Sequence, residues 1–537
     1  MRETIKFLAL VAGVVVVVFV TSFDISPAHP LFLGTLLAVA LLFVFAFTGL
    51  KGDGKKTITH GSAGWAEAGD AADLLTPSHA PPAAGALMLA PSPWSKSERL
   101  DLPHELAKRH TLIIGPSGSG KGRGFFLWNC ANYKGSFITS DPKSEAWTLT
   151  SGFHKRAVRF APRDPNRSAA LNWIPLCGAD SHLALLLARA AITADDGDGG
   201  KSDPFWEKAE TAFIAGLFAH AATFSEPTPA AMFDFMTSHA GDELTDALLK
   251  STNPVARQLG IIFNQAEPKL RGSIVIACAT TLIWLADERV RRFTSSTLKP
   301  PAFARLRYKP TSVYWCLAEN DIAVLKPLSA IFFTLCLHQI KEGEGVTPTN
   351  LMLDELANIG RIPNLATEIA MLRGRGIGVT IGLQDVAQLE AMYGRAQAKI
   401  ILGNCNTKIV LAGLDYESAE YISRSLGDKT ISEERVSQSV RGGMLAGPVT
   451  RSISVSKHAR RLLTADEIRR IGEREQIMIT VNKRPVYSHR FWYTTDACTA
   501  PTKPLPDART VQFKTSLGKS KRKPPGAPPP MPQELAT

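Results

Sequence analysis

A short run, Gly115-Pro116-Ser117-Gly118-Ser119-Gly120-Lys121, joins an apolar segment at residues 111–114 to another that follows the lysine. Glycines at this spacing let successive backbone N–H groups curl round an anion at a helix N-terminus, and the closing lysine neutralises charge on β- and γ-phosphate oxygens. Such a loop needs a strand before it and a helix after it, so the chain is expected to build a parallel α/β sheet. Gly122 stands where a Ser or Thr ordinarily ligates magnesium. A water, or another hydroxyl such as that of Ser119, then has to complete the metal shell.

The natural partner of this loop is Leu351-Met352-Leu353-Asp354-Glu355, an apolar strand ending in two carboxylates. In a nucleotide hydrolase the first, Asp354, holds magnesium through water, and the second, Glu355, polarises the attacking water. A further apolar strand at 378–383 ends in Gln384, placed to sense the γ-phosphate from the neighbouring strand end. Arg373 and Arg375 lie in a glycine-flanked segment just upstream. In a ring-forming ATPase one such arginine is supplied across the subunit interface to stabilise transition-state charge, although an exposed turn also solvates arginines.

Strand and helix textures alternate around these motifs. Strands are expected at 111–114, 136–140, 312–318, 350–353, 378–383, 408–412 and 476–481, giving a doubly wound parallel sheet. Between 169 and 296 the strand signals fade into Ala- and Leu-rich helical runs, which points to an inserted all-α domain. Residues 7–23 and 31–50 carry no charge and are each close to the ~20 residues that a bilayer demands. Arg2 and Lys6 before them, and Lys51, Lys55 and Lys56 after, put both ends of this hairpin in the cytoplasm. A cleaved signal peptide is disfavoured by the second span. The expected organisation is a transmembrane hairpin (1–56), a linker and first part of the nucleotide-binding domain (57–168), the all-α domain (169–296), the second part of the nucleotide-binding domain (297–500), and a disordered basic, Pro-rich tail (501–537). Residues 61–99, rich in Ala, Gly, Pro and Ser, are expected to be the linker.

Several other chemistries are disfavoured. The seven cysteines are scattered without a C-x-x-C pair, and the twelve histidines include no H-E-x-x-H. Asp195, Asp196 and Asp198 miss calcium-loop spacing at Gly200, and no G-x-S-x-G sits at a strand-to-helix turn. A net charge of +12 is compatible with a polyanionic partner or an anionic membrane face, and part of it lies in the tail.

Taken in order, these pieces resemble the VirD4/TraG family of type IV secretion coupling proteins, from the apolar hairpin to about residue 496. His60-Gly61-Ser62-Ala63-Gly64-Trp65-Ala66 is similar to the family's H-G-S-A-R-W-A, with Gly64 for arginine. The G-K-G at Gly120 to Gly122 resembles one branch of the family, and Asp141-Pro142-Lys143-Ser144-Glu145 resembles D-P-K-G-E. The most specific blocks are Asp354-Glu355-Leu356-Ala357-Asn358-Ile359-Gly360 and Gln384-Asp385-Val386-Ala387-Gln388-Leu389, with Asn404-Cys405-Asn406-Thr407-Lys408 after them. The resemblance implies a RecA-like P-loop domain using ATP and Mg2+, an all-α domain facing the cytoplasm, and a homo-hexameric ring beneath the bacterial inner membrane. It implies as partners single-stranded DNA, a relaxase or relaxosome or effector proteins, and the channel proteins of the secretion system. Two other readings are an FtsK-like DNA translocase, disfavoured by the helical insertion, and a non-hydrolysing membrane docking receptor.

Overall fold

The computed structural model describes residues 61–194, 204–439 and 450–493. The expected membrane hairpin, the loop carrying Asp195 and the tail lie outside the described residues.

The segment expected to be a linker is folded. β1 (Leu75–Pro77), β2 (Leu87–Pro91) and β3 (Glu98–Leu102) form an antiparallel sheet in the order β1-β3-β2. The Ala- and Pro-rich stretches are its connections, while Leu87, Leu89, Leu100 and Leu102 are fully buried against Phe125, Phe126 and Ile113. Arg99 fastens it: its guanidinium makes two 2.8 Å bonds to Asp101 and donates to the carbonyls of Pro77, Ser78 and Ala80.

The main sheet has nine strands in the order β14-β13-β10-β4-β9-β8-β5-β7-β6. In chain order these are β4 (Thr111–Ile114), β5 (Ser136–Ser140), β6 (Ala157–Phe160), β7 (Ser312–Trp315), β8 (Thr349–Leu353), β9 (Ile377–Leu383), β10 (Thr407–Leu411), then, after β11 (Asp428–Ser439) and β12 (Thr450–Arg461), β13 (Glu475–Thr480) and β14 (Val486–His489). From β10 to β6 every neighbouring pair is parallel, and β13 and β14 add an antiparallel edge. The central strands are buried on both faces, as parallel strands covered by helices must be. Their alternation sorts side chains to two sides. Leu112, Ile138, Val313, Leu351 and Leu353 enter one core, and Ile113, Phe137, Tyr314 and Met352 the other.

Every regular element described between β6 and β7 is helical, from Ile174–Ala179 to Glu288–Ser295. Local signals set their ends. Pro254–Asn264, for example, starts at Asn253, whose side chain accepts from the N–H of Val255 and Ala256, with proline in the first turn. Its Phe263 stacks on Phe213 of helix Pro204–Ala221 at 4.5 Å. Helix Ile322–Glu342 lies in the stretch Glu319–Glu342, the one among the described residues long and apolar enough to cross a bilayer. It is a core helix, with Leu328, Ile331, Phe332 and Leu335 fully buried. Among the described residues, 61–62 group with the two-stranded ribbon of β11 and β12 as a separate unit, with a bond from the Thr430 N–H to the Gly61 carbonyl at 3.1 Å.

Candidate functional site

Strand order alone brings the motifs together. β4, β9, β8 and β5 are consecutive in the sheet and parallel, so Gly115, Gln384, Asp354 and Asp141, each following its strand, line up along one edge. The loop is anchored where it leaves the sheet by the Gly115 N–H donating to the Leu383 carbonyl at 3.1 Å. Gly118 (φ +77°) and Gly120 (φ +84°) take left-handed conformations that favour glycine. The helix then begins as a π-helical turn, Gly122–Phe126, before continuing as Leu127–Asn132. Asn129 ties that helix to the small sheet, accepting from the Met88 N–H at 2.8 Å and donating to the Met88 carbonyl at 3.0 Å.

Lys121 is 7% exposed, and its Nζ donates to the carbonyls of Gly115 at 2.6 Å and Pro116 at 3.3 Å. Burial lowers its pKa, and the carboxylates of Asp354 and Glu355 oppose that shift. Burial in turn pushes the Asp354 carboxyl up to about 7, against the pull of Lys121 and with repulsion from Glu355 and Asp141. Ser140 Oγ donates to the Asp354 carbonyl at 2.9 Å, tying the ends of β5 and β8. Glu355 sits at φ +66°, a left-handed conformation that costs a non-glycine residue about 1–3 kcal/mol. Its carboxylate accepts from the Gln384 side-chain amide, and the Gln384 N–H donates to Gln388 Oε1 at 3.2 Å.

Among the described residues no group of three or more His, Cys, Asp or Glu is able to hold a metal by itself. The donor set nevertheless suits magnesium. That ion keeps several waters and is held by one or two carboxylates plus substrate phosphates, and Asp354 is such a carboxylate. A Cβ on Gly122 would lie 3.6 Å from Asp354 Oδ2, so the missing hydroxyl leaves open space beside this carboxylate. Ser119 does not fill it, because its Oγ packs back on Gly115 and is buried without a hydrogen-bond partner.

Lys121, Asp354, Glu355 and Gln384 thus converge, and Arg373 and Arg375 do not join them. Both are exposed and precede β9, so its length puts them roughly 20 Å from Gln384 at the other edge of the sheet. Arg375 there donates to the Lys341 carbonyl. Two residues escaped the sequence reading of the site, and a third, Asp141, stood there only in a family block with no role given. Asp141, 4% exposed, accepts from the N–H of Ala146 and Trp147 beside Asp354. Its signal was an apolar strand ending in an acid, as at Asp354. Arg490 donates to the Ser119 carbonyl, and Trp492 packs on Gly120. Neither stands in a motif, and only the β13–β14 pairing carries them to the loop.

A family described as type IV secretory system conjugative DNA transfer matches residues 73–522. Among curated relatives, the conjugal transfer protein TraG of Escherichia coli is 25% identical over 77% of this chain and 71% of its own length. Protein VirD4 of Rhizobium radiobacter is 24% identical over 72% of this chain, which spans only 57% of that relative. Two solved structures share the fold. The bacterial conjugative coupling protein TrwBdeltaN70, in its unbound monoclinic form, has TM-score 0.60 at 17% identity, covering 75% of this chain and 89% of that one. TrwB in complex with a non-hydrolysable ATP analogue also has TM-score 0.60, at 16% identity, covering 86% and 97%.

Proposed function

The chain belongs to the type IV secretory system conjugative DNA transfer family, and from that premise we propose how this P-loop ATPase and coupling protein works. Its substrate is ATP with Mg2+, and its cargo is single-stranded DNA carried by a relaxase, or effector proteins, handed to a secretion channel in the inner membrane. TrwB, whose fold this chain shares, has been solved with ADP and Mg2+ and with ADPNP. The observation that carries the reading is the meeting of Lys121, Asp354, Glu355 and Gln384 at adjacent strand ends.

Lys121, bonded in this structure to the carbonyls of its own loop, is to exchange those bonds for β- and γ-phosphate oxygens. Glu355 orients and polarises the attacking water, and the Gln384 amide fixes where its carboxylate points. Magnesium, held by Asp354 through water, would neutralise charge developing on the phosphates. Arg373 or Arg375, distant from the site of its own subunit, is suited to act in the site of a neighbour within a hexamer. The uncharged stretches at 7–23 and 31–50 support a two-pass anchor with the bulk of the chain in the cytoplasm. The net charge of +12 supports contact with the DNA backbone without sequence preference.

The purified chain is expected to hydrolyse ATP faster when single-stranded DNA is added. Lys121→Ala and Glu355→Gln are each expected to reduce the rate by at least about a hundredfold, within the range that electrostatic stabilisers and positioned acid-base groups supply. Absence of turnover in the wild type, or turnover untouched by both substitutions, would sink the hydrolytic mechanism and favour a docking receptor.

A further inference from the structure

The phosphate loop has two ends, and the residues that grip a triphosphate occupy only one. Lys121, Asp354 and Glu355 mark the γ-phosphate end, toward β8 and β9. A nucleoside attached to that triphosphate therefore leaves from the opposite end, over the first helical turn at Gly122, Arg123 and Gly124. The segment after β14 forms the wall there. The Tyr493 N–H donates to the Arg123 carbonyl at 3.2 Å, and the Arg490 guanidinium donates to the Ser119 carbonyl. A Cβ on Gly120 would come within 2.8 Å of the Trp492 ring, and one on Gly124 within 3.3 Å of Arg490 Cδ. Glycines at 120 and 124 thus let this wall close on the loop.

Two observations set the wall apart from ordinary packing. Arg490 is 7% exposed, its Nε has no hydrogen-bond partner, and the carboxylate of Glu473 acts on it through space, against repulsion from Arg474. A largely buried cation thus stands beside a loop built for phosphates, where a bound polyanion adds to the balance that Glu473 begins. Trp492, by contrast with the fully buried Trp128 and Trp173, keeps part of its surface exposed. The guanidinium carbons of Arg490 and Arg474 lie over its ring at 5.1 Å and 5.8 Å from the centroid, so cation–π contacts fix the indole beside the loop.

We propose that Trp492 is the platform on which the purine base of the nucleoside triphosphate stacks, with Arg490 positioning the phosphate loop behind it. The inference rests on the ATPase reading and deepens it, giving the substrate's base a place that none of the sequence motifs supplies. A stacking platform accepts any base with a π-face, so it adds affinity without strong base selectivity.

The test compares binding of ATP with binding of inorganic triphosphate, which carries the same phosphates and no base. The full chain is expected to prefer ATP, and Trp492→Leu to weaken ATP binding by about tenfold, within the range of base–aromatic stacking, while triphosphate affinity stays within about twofold. Equal losses for both ligands, or none for ATP, overturn the platform. A second measurement needs no variant: the fluorescence of 2-aminopurine riboside triphosphate is expected to fall on binding the wild type, and a bound but undimmed analogue overturns the stack. Wild-type protein that binds neither ATP nor triphosphate instead removes the ATPase reading, and the base platform with it.

Discussion

At the scale of single residues the site was legible where chemistry imposes spacing. Gly115 to Lys121 and Asp354-Glu355 announce themselves because phosphate, lysine and carboxylate must stand in a fixed order along the chain. Gln384 was legible as a polar strand end, and its contact with Glu355 shows what that end touches. Arg490 and Trp492 were not legible, because their place depends on a pairing far from the loop in sequence. His110 gives a residue-scale prediction. Fully enclosed at 1% exposure, at φ +63°, it accepts the Val379 N–H on Nδ1 at 3.1 Å, and burial pushes its pKa down to about 4. The folded state thus favours neutral histidine, and the unfolded chain binds the proton more readily. Stability from this group is complete above pH ~6.5 and drains away as pH falls toward ~4. Between pH 7 and 5 the wild type is expected to lose about 2 kcal/mol relative to His110→Asn, whose side chain tolerates the left-handed backbone. Urea unfolding at the two pH values measures it, and parallel pH slopes would contradict a buried neutral imidazole.

Among the elements, the strands read most accurately were the central ones. Segments expected at 350–353 and 378–383 appear as Thr349–Leu353 and Ile377–Leu383, since strands buried on both faces are continuous apolar runs. The small sheet at 75–102 was missed because its strands are short and their connections carry the Ala, Pro and Gly that dominate composition. What stabilises it is a polar clasp that periodicity does not reveal. Arg99 is 2% exposed and Asp101 4%, so Arg99→Ala strands a buried carboxylate and three carbonyls. A loss of about 3–5 kcal/mol is expected in urea unfolding, with much of it recovered in the double variant Arg99→Met, Asp101→Leu. A loss below about 1 kcal/mol would place the pair among weak surface bridges.

For the whole molecule, sequence order concealed how the parts close up. The helical run between β6 and β7 separates β5 from β8 along the chain, yet those strands are hydrogen-bonded neighbours that bring Asp141 beside Asp354. Texture alone suggested one sheet around a helical insert, because strand signals stop and resume at similar length. The antiparallel edge of β13 and β14 had no such cue beyond one apolar run. The apolar stretches at 7–23 and 31–50 bear on assembly. On the proposal that these two stretches anchor the chain and gather subunits, a chain lacking residues 1–50 is expected to stay in solution, largely monomeric by light scattering. Stable hexamers of that truncated chain without nucleotide or DNA would reject this role.

The wall after β14 has a mechanical consequence. The Tyr493 N–H is bonded to the carbonyl of Arg123, two residues beyond Lys121. A displacement of residues 490–493 is resisted first by that bond and by the grip of Arg490 on Ser119. The strand edge is therefore coupled to the phosphate loop, and whatever shifts residues 490–493 shifts the backbone on either side of Lys121.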